Sequence, residues 1–189
     1  MTREHVSAGE VLTFPRARRQ IRVRLAFSCV SLLSAVALQA QNRLSTDTKF
    51  WYETVKKDTI RAAEKMPVEN YSFRPAPTVR TFGQLIGHIA DDQYFFCMPV
   101  KGDTFERKIE RDFSAKVDLV VKLKEAFAYC DAVYDGLTDA RGVESVKTFA
   151  GDRTKLSWLS FNYAHTYEHY GNIVTYMRIK GLVPPSSEK

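Results

Sequence analysis

Histidine is scarce in this chain, which carries four, and two of them stand four residues apart in the pentapeptide HTYEH, His165 to His169. On a helix, positions i and i+4 lie one turn apart on a single face, so both imidazoles reach one point in space. That is the spacing of a metal-binding pair. A third histidine, His88, lies far upstream in FGQLIGHIADDQYFF. On a helical projection it shares an inward face with Thr81, Gln84, Leu85, Asp92 and Phe95. Three inward imidazoles suit a catalytic metal, which keeps positions open for water or substrate where a structural site closes them. The competing explanation, three core histidines satisfied separately, must find a partner for each buried ring. Asp92, one turn after His88, is the candidate catalytic carboxylate: a proton acceptor, an acceptor for an imidazole N–H, or a fourth ligand. Asp91 and Glu168 project farther from the histidine arcs and read as solvated or supporting groups. HTYEH also matches H-x-x-E-H, with Glu168 as a peptidase base. Such a peptidase takes an acidic ligand well downstream, yet only twenty residues follow His169, and Glu188 lies in a tail after Pro-Pro.

Four helices must position these groups, and no stretch shows sustained alternation of two. The first is expected over residues 48–66, stopped by Pro67. The second spans residues 82–98, opened by a capping box of Thr81 and Gln84 and ended at Pro99. The third spans residues 115–137 after Ser114, its apolar line being Val120, Leu123, Phe127, Cys130, Tyr134 and Leu137. The fourth spans residues 155–180, capped by Asp152 or Thr154 and closed by Gly181. Trp158, Phe161, His165, His169, Asn172 and Tyr176 share one arc of it, which is expected to face the core. A second stripe, Leu156, Leu159, Tyr163, Tyr167, Tyr170 and Val174, lies nearly opposite. A line of small residues, Ser160, Ala164, Gly171 and Thr175, would admit a neighbouring helix. With residues 138–153 as a loop or short hairpin, the fold class is all-α, a four-helix bundle. The second stripe needs cover, which a homodimer supplies, or else the FRPAP loop or residues 138–153 fold over it.

The 189 residues, 44% of them hydrophobic, suit one domain with an ample core. A formal charge of +6 invites a nucleic-acid reading. However, residues 1–40 hold six Arg and no Lys against two Glu, leaving +2 on residues 41–189, spread without a basic block. No nucleic-acid partner is therefore expected. Residues 1–40 read as an export signal: a basic RARRQIRVR, an uncharged apolar LAFSCVSLLSAVALQA, then a polar QNRLSTDTK. The apolar run is short for a transmembrane helix. Cleavage is expected after Ala40 or Ala37, leaving residues 41–189 as a domain without stable membrane insertion, periplasmic or secreted. An uncleaved anchor, a lipid on Cys29, and twin-arginine export through RRQI are the rival readings. Cys97 and Cys130 remain, and the sequence leaves open whether they pair or stand as separate core residues.

Taken together, His88, the His165/His169 pair and YSFRPAPTVRTFGQLIGHIADDQYFF make the chain resemble the DinB/YfiT-like superfamily, over about residues 48–181. The most specific part is the order of elements: a first helix, the FRPAP loop, a helix with one mid-length His, a third helix, and a last helix with H-x-x-x-H. The resemblance implies a four-helix bundle that binds a divalent metal, zinc or nickel, on His88, His165 and His169. It implies dimers for many members. It also implies thiol-dependent transferase or isomerase activity for some, in which the metal activates a small thiol. Export departs from that cytosolic setting, so a metal-dependent hydrolase acting on a small molecule competes, as does a non-catalytic metal binder.

Overall fold

A computed structural model describes residues 42–104 and 106–188. The expected export signal lies outside them. Helix α1 runs Arg43–Lys65, α2 Phe82–Lys101, α3 Lys116–Asp135 and α4 Lys155–Ile179. Around the bundle α1 packs on α4 and α3, and α2 packs on α3 and α4. The architecture is therefore the expected four-helix bundle. Single helical turns at Ile109–Asp112 and Asp139–Gly142 and an antiparallel hairpin, β1 Ser145–Thr148 and β2 Gly151–Thr154, fill the connections. Among the described residues, no helix is long and apolar enough to cross a membrane.

Several boundaries differ from expectation for local reasons. Helix α1 begins at Arg43, five residues early, because a distant carboxylate caps it: Asp139 accepts from the amides of Leu44 at 3.2 Å and Ser45 at 2.7 Å. A cap supplied across the fold leaves no local signature. Helix α2 opens on the expected Thr81–Gln84 capping box. It runs through Pro99 to Lys101, since a proline this close to the end removes one intrahelical donor and the helix stops only at Gly102, φ 86°. Ala115, not Ser114, precedes α3. Thr154 caps α4, accepting from the Ser157 amide at 3.2 Å.

The core is apolar with a thread of tyrosines. Tyr52 stacks on Tyr134 with centroids 3.8 Å apart, and donates its hydroxyl to the Phe127 carbonyl and to Asp131. Tyr134 donates to the Leu159 carbonyl at 2.8 Å. Cys97 of α2 and Cys130 of α3, both fully buried, form a disulfide with Cα atoms 5.5 Å apart. The open question about these cysteines is thus settled in favour of pairing.

Helix α4 departs most from the sequence reading. Its innermost line is Leu159, Asn162, Thr166, Ile173 and Met177, which lies between the two expected stripes. Two polar members hid that line. They are matched by Gln93 of α2, which donates to Thr166 Oγ1 at 3.0 Å and accepts from Asn162 at 3.2 Å. Of the first arc, Trp158, His169 and Tyr176 are buried while Phe161 and Asn172 are exposed, so this arc borders the core rather than filling it. Of the second, Leu159 and Tyr170 enter the core and Tyr163, Tyr167 and Val174 are half-buried against it. The C-terminal tail, not among the segments expected to cover this stripe, meets Tyr170 through the Ser186 amide, which donates to its hydroxyl at 3.1 Å. The small-residue line points outward, and a methyl group on Gly171 would meet open space.

Candidate metal centre

Helices α2 and α4 pack side by side and bring the three predicted histidines and Asp92 together. His88 and Asp92 stand one turn apart on α2, and His165 and His169 one turn apart on α4, so each helix offers two groups to the same gap. His165 Nε2 and His169 Nε2 are 3.0 Å apart. Asp92 Oδ2 lies 3.0 Å from His88 Nε2, 3.3 Å from His165 Nε2 and 3.7 Å from His169 Nε2. One ligand atom from each of the four residues falls within 4.8 Å of every other. Ligands at about 2.0–2.1 Å from a tetrahedral ion stand roughly 3.3 Å from one another, and the four distances above, 3.0–3.7 Å, bracket that value.

The polar accounting supports the same fit. Asp92 is buried, yet neither of its oxygens has a hydrogen bond of acceptable direction, and His169 Nδ1 has none either. A buried carboxylate among three imidazoles, with both its oxygens and one ring nitrogen short of hydrogen bonds, is costly, and a cation shared by the group would offset that cost. Two rings are oriented from outside: His88 Nδ1 faces Glu110 Oε2 at 3.2 Å, and His165 Nδ1 faces Glu168 Oε2 at 3.3 Å. A carboxylate at Nδ1 favours the proton there and leaves the Nε2 lone pair toward the centre.

Charge follows this geometry. Burial pushes the Asp92 carboxyl up, but the close approach of the His165 and His88 rings and the charges of His88 and Arg107 outweigh it and hold the group below the usual carboxylate range. The contact with Asp92 raises His165 against the opposing effect of burial. Burial, followed by the charges of His165 and His88, pushes His169 down to about 4. At neutral pH the centre therefore holds an ionised Asp92 and a neutral His169, the forms that ligate metals.

Sequence reasoning missed Glu110 and Arg107. Arg107 Nη2 stands 2.9 Å from Asp92 Oδ1, and Arg80 pairs with Glu110 at 2.8 Å. Asp91 places both residues. It is only 2% exposed rather than solvated, and its carboxylate accepts from the amides of Lys108 at 3.1 Å, Ile109 at 3.0 Å and Glu110 at 3.0 Å. Gly87 permits the approach, because a Cβ there would sit 2.8 Å from Glu110 Cα. The Asp-Asp pair in the sequence was the available signal: one carboxylate faces the centre and its neighbour holds the turn that supports it. Glu168 is largely solvated and touches His165 from outside, as expected. Beside His169 opens a cleft of about 600 Å³ with Arg80, Glu168, Asn172 and Tyr176 on its walls.

Comparison with known proteins bears on the family and the fold. An uncharacterized protein, YjoA of Bacillus subtilis (strain 168), is 27% identical over 129 residues, which span 65% of this chain and 82% of YjoA. A DinB-like protein of Bacillus cereus ATCC 10987 superposes with a TM-score of 0.61 at 19% identity, covering 69% of this chain and 89% of that one. A variant of mycothiol-dependent maleylpyruvate isomerase superposes with a TM-score of 0.59 at 12% identity, covering 68% of this chain and 60% of that one. Residues 52–173 match the family model described as DinB superfamily, and the chain belongs to that superfamily.

Proposed function

We propose that this protein is an exported metal-dependent enzyme that holds one divalent ion, zinc or nickel, on His88, His165 and His169. The observation that carries this reading is the convergence of the three Nε2 atoms and Asp92 Oδ2 on one buried gap. Asp92 borders the three imidazoles, with Oδ2 3.0–3.7 Å from their Nε2 atoms, and the three-histidine reading leaves the fourth position of the ion to water or substrate. Bound there, a divalent ion supplies Lewis acidity, which activates a water or a thiol near neutral pH. Glu110 and Glu168 hold the rings from behind, and Arg107 holds the far oxygen of Asp92. His165, with 24% of its side chain exposed, and the cleft beside His169 provide access, which favours an enzyme over a closed structural site.

Hydrolysis is the preferred reaction. The Cys97–Cys130 disulfide supports an oxidising compartment outside the cytoplasm, where small reduced thiols are scarce. Thiol transfer is the second reading, favoured by the fold shared with a mycothiol-dependent enzyme. A homodimer through the outer side of α4 belongs to the proposal in narrowed form, on Tyr163, Tyr167 and Val174, since Leu159 and Tyr170 are spent inside the chain.

Metal analysis of protein purified without a nickel column tests the centre. One ion per chain is expected, and a stoichiometry near zero, or one unchanged in His165→Ala, overturns it. Screening the loaded protein against esters, lactams and thiol-transfer pairs separates the reactions, and inactivity in all of them with no exchangeable metal-bound water points to the non-catalytic binder.

A further inference from the structure

The most exposed of the three histidines opens onto a surface of aromatic rings left exposed among the described residues. Phe161 stands one turn before His165 on α4, their centroids 5.8 Å apart, and is 44% exposed. Phe149, at the tip of the β1–β2 hairpin, is 72% exposed and stacks on Phe95 of α2 at 6.0 Å and 26°. Trp158 lies beneath, 5.7 Å from Phe149 and 6.2 Å from Phe161, its indole N–H locked on the Phe96 carbonyl at 2.9 Å. Large exposed rings placed side by side cost solvation and mark contact surfaces. These run directly to a proposed metal ligand.

The charge at the junction identifies the occupant. The Arg107 guanidinium lies 4.5 Å above the Phe95 ring, with one edge toward Asp92 Oδ1, and the side chain is about half exposed, at 47%. Its planar fork carries five donors, suited to bidentate contact with a carboxylate. Once a divalent ion shares the Asp92 charge, Arg107 keeps a positive charge at the lip of the centre. A flat apolar body on the rings and an anionic group between Arg107 and the ion would satisfy both surfaces at once. From this geometry we infer a recognition subsite for small aromatic carboxylates, formed by Phe95, Phe149, Phe161 and Arg107 beside the metal. The inference deepens the proposed function and rests on the metal reading.

Titration of the full chain, metal-loaded and chelator-stripped, with 2-naphthoate, 2-naphthylmethanol and cyclohexanecarboxylate tests it, with Trp158 fluorescence and calorimetry as readouts. The loaded protein is expected to bind 2-naphthoate about tenfold more tightly than either control. Phe149→Ala/Phe161→Ala should remove about that preference over cyclohexanecarboxylate, and Arg107→Gln should remove the preference over 2-naphthylmethanol while sparing the alcohol. Phe149 and Phe161 are exposed, so the double variant is expected to fold, and its thermal midpoint and metal content verify this. Equal affinity for 2-naphthoate and cyclohexanecarboxylate, indifference to the double variant, or equal binding by stripped and loaded protein overturns the subsite. Metal content measured on the same samples separates the two failures: absent metal overturns the proposed centre, whereas a full site without naphthoate preference overturns the subsite alone.

Discussion

Replacing Asp91 by alanine should loosen the metal centre without touching a proposed ligand. The carboxylate accepts three backbone amides of the turn that carries Arg107 and Glu110. Of these, the Ile109 amide is buried, and leaving it unpaired costs about 2–3 kcal/mol. The Lys108 and Glu110 amides are part-buried and can turn to water, at about 0.5–1 kcal/mol each. The expected loss is thus roughly 3–5 kcal/mol, a large part of a typical domain's stability of about 5–15 kcal/mol. With the turn released, Glu110 no longer orients His88 and Arg107 no longer holds Asp92, so metal affinity should fall about 10- to 100-fold. Urea unfolding of the metal-free protein measures the first effect, and metal competition with a chelator the second. Glu110→Gln separates them, because it should weaken metal binding while leaving the unfolding midpoint close to wild type. An Asp91→Ala protein with wild-type midpoint and wild-type metal affinity would refute the reasoning, since the turn would then be held by other contacts.

Gly87→Ala drives a methyl group into the Glu110 backbone, and both stability, by about 1–3 kcal/mol, and metal affinity should drop in the same two assays. Cys97→Ala/Cys130→Ala opens a crosslink spanning 33 residues and should cost about 3–4 kcal/mol of unfolding free energy on the loop-entropy account; an unchanged denaturation midpoint would refute it. Loading metal near pH 6 should release at least one proton, from His165, whose pKa is raised, while His169 at about 4 contributes none. Affinity therefore rises with pH up to the His165 value and falls as pH drops through it. Calorimetry in two buffers of different ionisation enthalpy measures the proton count, and zero would contradict the assignment.

The four helices and the three histidines were readable because both signals are local. Periodicity of 3.6 fixes which residues of one helix share a face, and that suffices to pair His165 with His169 and His88 with Asp92. What escaped depends on chain segments meeting from far apart. Glu110 and Arg107 reach the centre only because Asp91 and Gly87 draw a distant turn onto α2. Asp139 caps α1 from nearly a hundred residues away, so Asn42 and its neighbours gave no hint of the true start. The inner line of α4 was misread because Asn162 and Thr166 look solvated until Gln93 is placed opposite them. The disulfide was undecidable for the same reason: spacing in sequence does not say which faces of α2 and α3 meet.

The position of α2 between α3 and α4 also shapes how the molecule would come apart. The disulfide ties α2 to α3, and a bound ion would tie α2 to α4, so two tethers converge on one helix. Helix α1 shares neither. It is retained by side-chain packing, by the Tyr52 and Lys56 contacts with Asp131, and by Arg61 and Lys65 gripping Glu188 of the tail. Amide protons of α1 can accordingly exchange with solvent through an excursion that leaves the other three helices assembled, a partial opening distinct from global unfolding. Metal loading then slows exchange in α2 and α4 while α1 keeps its own rate, and the first helix becomes the most yielding part of the bundle.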